Sequence, residues 1–138
     1  MEYLYQKIVD EIQSKGIKVI HRKLSGDYGR CYWTNKTIVM DSSVRGTLIG
    51  CIMIYHEFNH FLDYKYKRNR LYYKEGPSKP NLSRRKKIDI MWKAEWECME
   101  YALTRLKKYG ITKRHHPYFQ KTWMKKNILP VWIKAYKM

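Results

Sequence analysis

Acidic side chains are scarce in this sequence, and from Tyr101 to Met138 there are none. Between Lys65 and Lys87 ten basic residues face a single acid, Glu75. Over the whole chain 29 Lys and Arg stand against 12 Asp and Glu, a formal charge of +17. Such a surface repels cationic partners and attracts polyanions: nucleic acid, an anionic membrane or an acidic protein. No nucleic-acid-reading motif accompanies the charge, so a solvated Lys-rich face is the simpler reading. Long apolar runs are also missing. The longest, Leu48 to Tyr55, falls well short of the roughly 20 residues that span a bilayer. The start, Met1-Glu2-Tyr3-Leu4-Tyr5-Gln6-Lys7, lacks the basic and apolar stretches of a secretory signal, which leads us to expect a soluble cytoplasmic protein. Cysteine is limited to Cys31, Cys51 and Cys98, with no CxxC pair and no even count, which argues against a disulfide framework. Cys51 and Cys98 read as small buried apolar residues.

What is present is enough for a core. Hydrophobic residues make up 44% of 138 positions, which suits a single domain over residues 1–138 and excludes wholesale disorder. Leu4, Ile8 and Ile12 lie at four-residue spacing before Gly16, predicting a short amphipathic helix with a glycine stop. Ile17-Lys18-Val19-Ile20 reads as a strand. Tyr28 to Trp33 and Thr37 to Met40, joined by Thr34-Asn35-Lys36, read as a hairpin. A buried helix follows from about Gly46 to Tyr64, with capping groups offered by Asp41-Ser42-Ser43. Lys65 to Ser83, with Gly76-Pro77-Ser78 and Lys79-Pro80-Asn81, reads mostly as loop. Ser83 is placed to cap a long helix from Arg84 to Tyr109, closed by Gly110. The aromatic tail from Pro117 predicts one or two short helices interrupted near Pro130. The class is α+β.

One motif carries chemistry: His56-Glu57-Phe58-Asn59-His60. A helix turns about 100° per residue, so the two histidines project from one face, a turn apart. Imidazoles so placed can share a tetrahedral zinc, and Glu57 stands beside the metal as a general base. The alternative is two satisfied histidines and an acid on an ordinary helix. A catalytic zinc takes a third protein ligand. His115 and His116 are available, as are Glu95, Glu97 and Glu100. Glu95 lies on the apolar stripe of the long helix, formed with Ile88, Met91, Trp92, Met99 and Ala102, where a metal would account for a buried carboxylate. Asp63, three residues past His60, is placed to support an imidazole.

His56 to Asp63 resembles the HExxH helix of zincin metallopeptidases, and Glu95-Trp96-Glu97-Cys98-Met99-Glu100-Tyr101-Ala102 resembles the glutamate helix of gluzincins. The likeness is greatest to the compact ImmA/IrrE-type peptidases and the lethal-factor-type catalytic core, over roughly residues 28 to 105. Glu95, Cys98 and Tyr101 match the spacing of ligand Glu, small residue and aromatic there. Asn59 stands in place of a frequent glycine, and Cys98 in place of the usual alanine. The resemblance implies a minimal zincin core, a small sheet packed on an active-site helix and a glutamate-bearing helix. It further implies Zn2+ as cofactor, His56, His60 and Glu95 as metal ligands, Glu57 as catalytic base, and hydrolysis of peptide bonds in a protein or peptide substrate. It assigns no transition-state Tyr or His; Tyr118, His115 and His116 are candidates. The second reading is a basic nucleic-acid-binding protein with a structural or vestigial zinc. The two meet in SprT-like proteases, which act on DNA-bound proteins and typically use a third histidine; His115 or His116 would then replace Glu95.

Overall fold

Helical periodicity organises the first unit of the chain. In the computed structural model, which describes residues 1–75 and 82–136, α1 spans Glu2–Ser14. Its buried stripe is Tyr5, Ile8, Val9 and Ile12, the i, i+3, i+4, i+7 face of an amphipathic helix. Leu4, expected in that stripe, lies at its margin. Gly16 ends the helix with φ +85°, a left-handed conformation that costs glycine nothing.

Three strands follow: β1 (Lys18–Arg22), β2 (Gly29–Tyr32) and β3 (Thr37–Asp41). The expected hairpin is present. β2 and β3 pair antiparallel, with Cys31 opposite Ile38, and a single 3-10 turn, Trp33–Asn35, joins them through left-handed Lys36. β3 returns between the other two, pairing parallel with β1, so the order is β1-β3-β2. Successive residues Ile38, Val39 and Met40 are all buried, as a central strand covered on both faces requires.

The next helix, α2, spans Leu48–Lys65. It starts two residues later than the periodicity suggests, because the capping groups divide differently. Asp41 accepts the backbone N–H of Ser43 and caps a short 3-10 turn, Ser42–Val44. Thr47 caps α2, its Oγ1 accepting the N–H of Gly50 at 3.0 Å. Gly50 itself is required by packing: a Cβ there would lie 2.1 Å from the Val44 carbonyl oxygen and 3.1 Å from the Tyr5 ring. Tyr55 Oη donates to Glu11 at 2.8 Å, joining α2 to α1. Cys51, Ile52, Ile54, Tyr55 and Phe58 are each at most 1% exposed, so α2 is an interior helix throughout this part.

By internal packing the chain divides into Met1–Leu62 and Asp63–Met138. In the second unit, a helix interrupts the expected loop: α3 spans Arg70–Glu75. Its source is a local hydrogen-bond pattern rather than a hydrophobic period, for the Asn69 carbonyl accepts Tyr72 N–H at 3.0 Å. The Gly-Pro and Lys-Pro segments of that loop lie outside the described residues. Ser83 caps α4 (Arg84–Lys107) as expected, accepting Lys86 N–H at 3.2 Å. Gly110, φ +82°, closes it: Ile111 N–H returns to Leu106 and Gly110 N–H to Lys107. The tail forms α5 (Lys121–Asn127) and α6 (Leu129–Ala135), with Pro130 in the first turn of α6, where its missing N–H is no loss. Trp132 meets Trp92 at 6.4 Å, and Trp92 stacks on Trp96 at 5.8 Å. The chain is thus a mixed α+β protein with a small three-stranded sheet.

Candidate metal centre

The helical spacing on α2 does what it implies. His56 and His60 lie with ring centroids 4.9 Å apart and planes inclined at 75°. They are 2% and 4% exposed, and Glu57 is 6% exposed. Imidazoles and a carboxylate buried this deeply need polar or charged partners. Glu57 runs beside the sheet edge, for a Cβ on Gly29 of β2 would stand 3.1 Å from Glu57 Cγ and 2.8 Å from Met40 Sδ. Glycine at the start of β2 therefore makes room for the Glu57 stem.

Among the described residues, His56, His60 and Cys98 form a buried group that could hold a metal ion, their donor atoms all within 4.8 Å of one another. Two imidazoles and a thiol are a borderline-soft donor set of the kind zinc accepts. Cys98 is fully buried, as expected of a small apolar residue, and its thiol also stands in this group. Cys51 behaves as read: it is fully buried, and burial pushes its thiol up to about 11, so it remains protonated.

The three glutamates of α4 separate by environment. Glu100 is exposed. Glu97 is half-buried and accepts Asn69 Nδ2 at 2.9 Å. Glu95 is 6% exposed, as its place on the apolar stripe requires, and accepts Tyr72 Oη at 2.5 Å on Oε1. Glu95 is not one of the three donors grouped above. Tyr72 Oη lies 2.8 Å from Tyr136 Oη. Burial, and then the neighbouring Glu95 charge, raise the Tyr72 phenol well above its ordinary value, so Tyr72 stays protonated as a donor to Glu95.

The carboxylate expected to support an imidazole has another task. Asp63 accepts Arg68 Nε at 2.9 Å, Tyr73 Oη at 3.1 Å and Asn69 Nδ2 at 3.3 Å. It thereby ties the end of α2 to the start of α3. His115 and His116 also have local tasks. His115 Nδ1 accepts Thr112 N–H at 2.9 Å in a capping box, and His116 Nδ1 accepts Tyr118 N–H at 3.2 Å. Neither belongs to the buried donor group. The chain matches no known family profile, no curated protein sequence and no solved structure.

Proposed function

We propose that the protein is a zinc-dependent metallopeptidase, with His56 and His60 as metal ligands and Glu57 as general base. The observation that carries the reading is the buried HExxH turn of α2, whose two imidazoles lie 4.9 Å apart beside a buried Glu57. Zinc held there would supply an acidified water and polarise the scissile carbonyl. Glu57 takes a proton from the attacking water and delivers it to the departing amine nitrogen. His56 and His60, fixed on one helix face, hold the centre in register with Glu57. β2 lies at the edge of the sheet beside Glu57, and an extended peptide added to that edge would bring its backbone toward the base.

For the third ligand we propose Glu95. Its support is burial, the pattern it makes with Cys98 and Tyr101, and the Tyr72 hydroxyl, which orients the carboxylate as an outer-shell partner does. A second reading is favoured by the 4.8 Å grouping: the Cys98 thiolate as third donor. The two differ in a spectroscopic signature. Cobalt substituted for zinc shows a sulfur-to-metal charge-transfer band only where a thiolate binds. That band in wild type, absent from Cys98→Ser, would transfer the role to Cys98.

The mechanism is tested by Glu57→Gln, which keeps size and removes the base. Cleavage of an unfolded protein such as casein should fall by at least about a hundredfold, with zinc content unchanged. Undiminished cleavage by the variant would overturn the role of Glu57.

A further inference from the structure

The turn between α2 and α3 encloses an open cleft of about 360 Å³, lined by Asp63, Tyr64, Lys65, Lys67, Arg68, Arg70 and Tyr73. Four of these seven carry positive charge and one negative. The acid, Asp63, is 1% exposed and already engaged by Arg68, Asn69 and Tyr73. Among the described residues no carboxylate pairs with Lys65, Lys67 or Arg70. The cleft therefore presents a net positive field around a cavity with room for a planar ring.

Backbone hydrogen bonds frame the cleft. Arg68 N–H returns to the Asp63 carbonyl at 2.8 Å and Lys67 N–H to Tyr64 at 3.3 Å, a Schellman closure of α2. That closure holds Lys67 at φ 56°, and Asn69 follows at φ 49°. Two tyrosines stand out from this frame. Tyr64 lines the cleft and is 41% exposed, and Tyr66 is 61% exposed with Lys65 Nζ 5.4 Å and Arg68 5.8 Å from its ring centre. Exposed aromatic faces interleaved with cations are how proteins hold unpaired nucleotides: bases stack on rings, and phosphates sit among Lys and Arg. A duplex hides its base faces, and a lipid surface offers none.

We infer that this cleft binds single-stranded nucleic acid, with a base stacked on Tyr64 and flanking phosphates held by Lys65, Lys67 and Arg70. The inference is independent of the metal centre. It is tested with full-length protein and a fluorescein-labelled oligothymidylate of about 12 nucleotides, by anisotropy across a salt series. Lys67→Gln with Arg70→Gln should weaken binding about tenfold or more and shallow the salt slope by about 1.4, the loss of two phosphate contacts to a single strand. Tyr64→Leu should cost about fivefold or more at unchanged charge. The charge-matched control Lys107→Gln with Lys121→Gln should cost under about threefold. Circular dichroism melting identifies any variant that fails to fold, and Tyr64→Phe, which keeps the ring, should restore binding.

Equal losses from the cleft and control pairs would overturn the site, leaving only diffuse charge. Unchanged binding by Tyr64→Leu, or equal affinity for a duplex of the same length, would overturn stacking. Binding of the cleft variants lost for phosphatidylserine vesicles but not for the oligonucleotide would make the partner a membrane.

Discussion

Tyr72 illustrates what single residues contribute here. Its hydroxyl is the donor that fixes Glu95 Oε1, and nothing in the sequence spacing of Tyr72 announces that role. If Glu95 binds the metal, Tyr72→Phe should weaken zinc binding by about 10- to 100-fold, the usual effect of removing an outer-shell partner. Competition against a chromophoric chelator measures it, and unchanged affinity would detach Glu95 from the centre. Two histidines away from the centre set a pH dependence. Burial, followed by the Arg45 charge, lowers His21, and burial lowers His116. Both stay neutral in the fold at pH values where the unfolded chain protonates them. Their linked stability is complete above about 6.5, the ordinary histidine value, and is lost as pH falls through the lowered folded values. Urea midpoints should therefore be level near pH 8 and decline below about 6.5. Replacing His21, which pairs with Tyr5 Oη at 2.6 Å, by Asn should flatten part of that decline. A midpoint that rises on acidification would contradict it.

At the scale of elements, α2 is decided at its two ends. Its entry needs a residue with no Cβ at position 50, because the Val44 carbonyl already occupies that space. Gly50→Ala should destabilise the fold by roughly 1–3 kcal/mol, as overpacking does, read as a lower urea midpoint at unchanged m-value. Its exit is the reverse case. Lys67 occupies a left-handed position, φ 56°, at which an L side chain costs roughly 1–2 kcal/mol. Lys67→Gly should therefore stabilise by about 1 kcal/mol, a gain that equilibrium unfolding would detect. The strongly periodic elements were legible in sequence: α1, the β2–β3 hairpin, and α4 from its Ser83 cap to its Gly110 stop. α3 was not. It is short, its neighbours are rich in Lys and Pro, and it forms around Asp63 and Asn69 through contacts no periodicity encodes. Nor was the sheet order, since pairing β1 in parallel beside β3 depends on contacts distant in sequence.

For the molecule as a whole, the chemistry was legible where it is local and hidden where it is not. The HExxH turn fixes three side chains by helical geometry alone, and all three are buried. For the proposed third ligand, the sequence and the fold point differently: Glu95 lies on the apolar stripe and Cys98 does not, whereas Cys98 is the residue grouped with the two histidines. The charge of +17 belongs to the whole surface, and at the α2–α3 turn it gathers around a cleft and exposed rings. The central claim is the zinc centre on α2, and metal content by elemental analysis tests it most directly. After dialysis, the wild type and Glu57→Gln should retain zinc in proportion to protein, and His60→Ala should lose it. A wild type without zinc, or a His60→Ala variant that keeps as much as the wild type, would contradict the account.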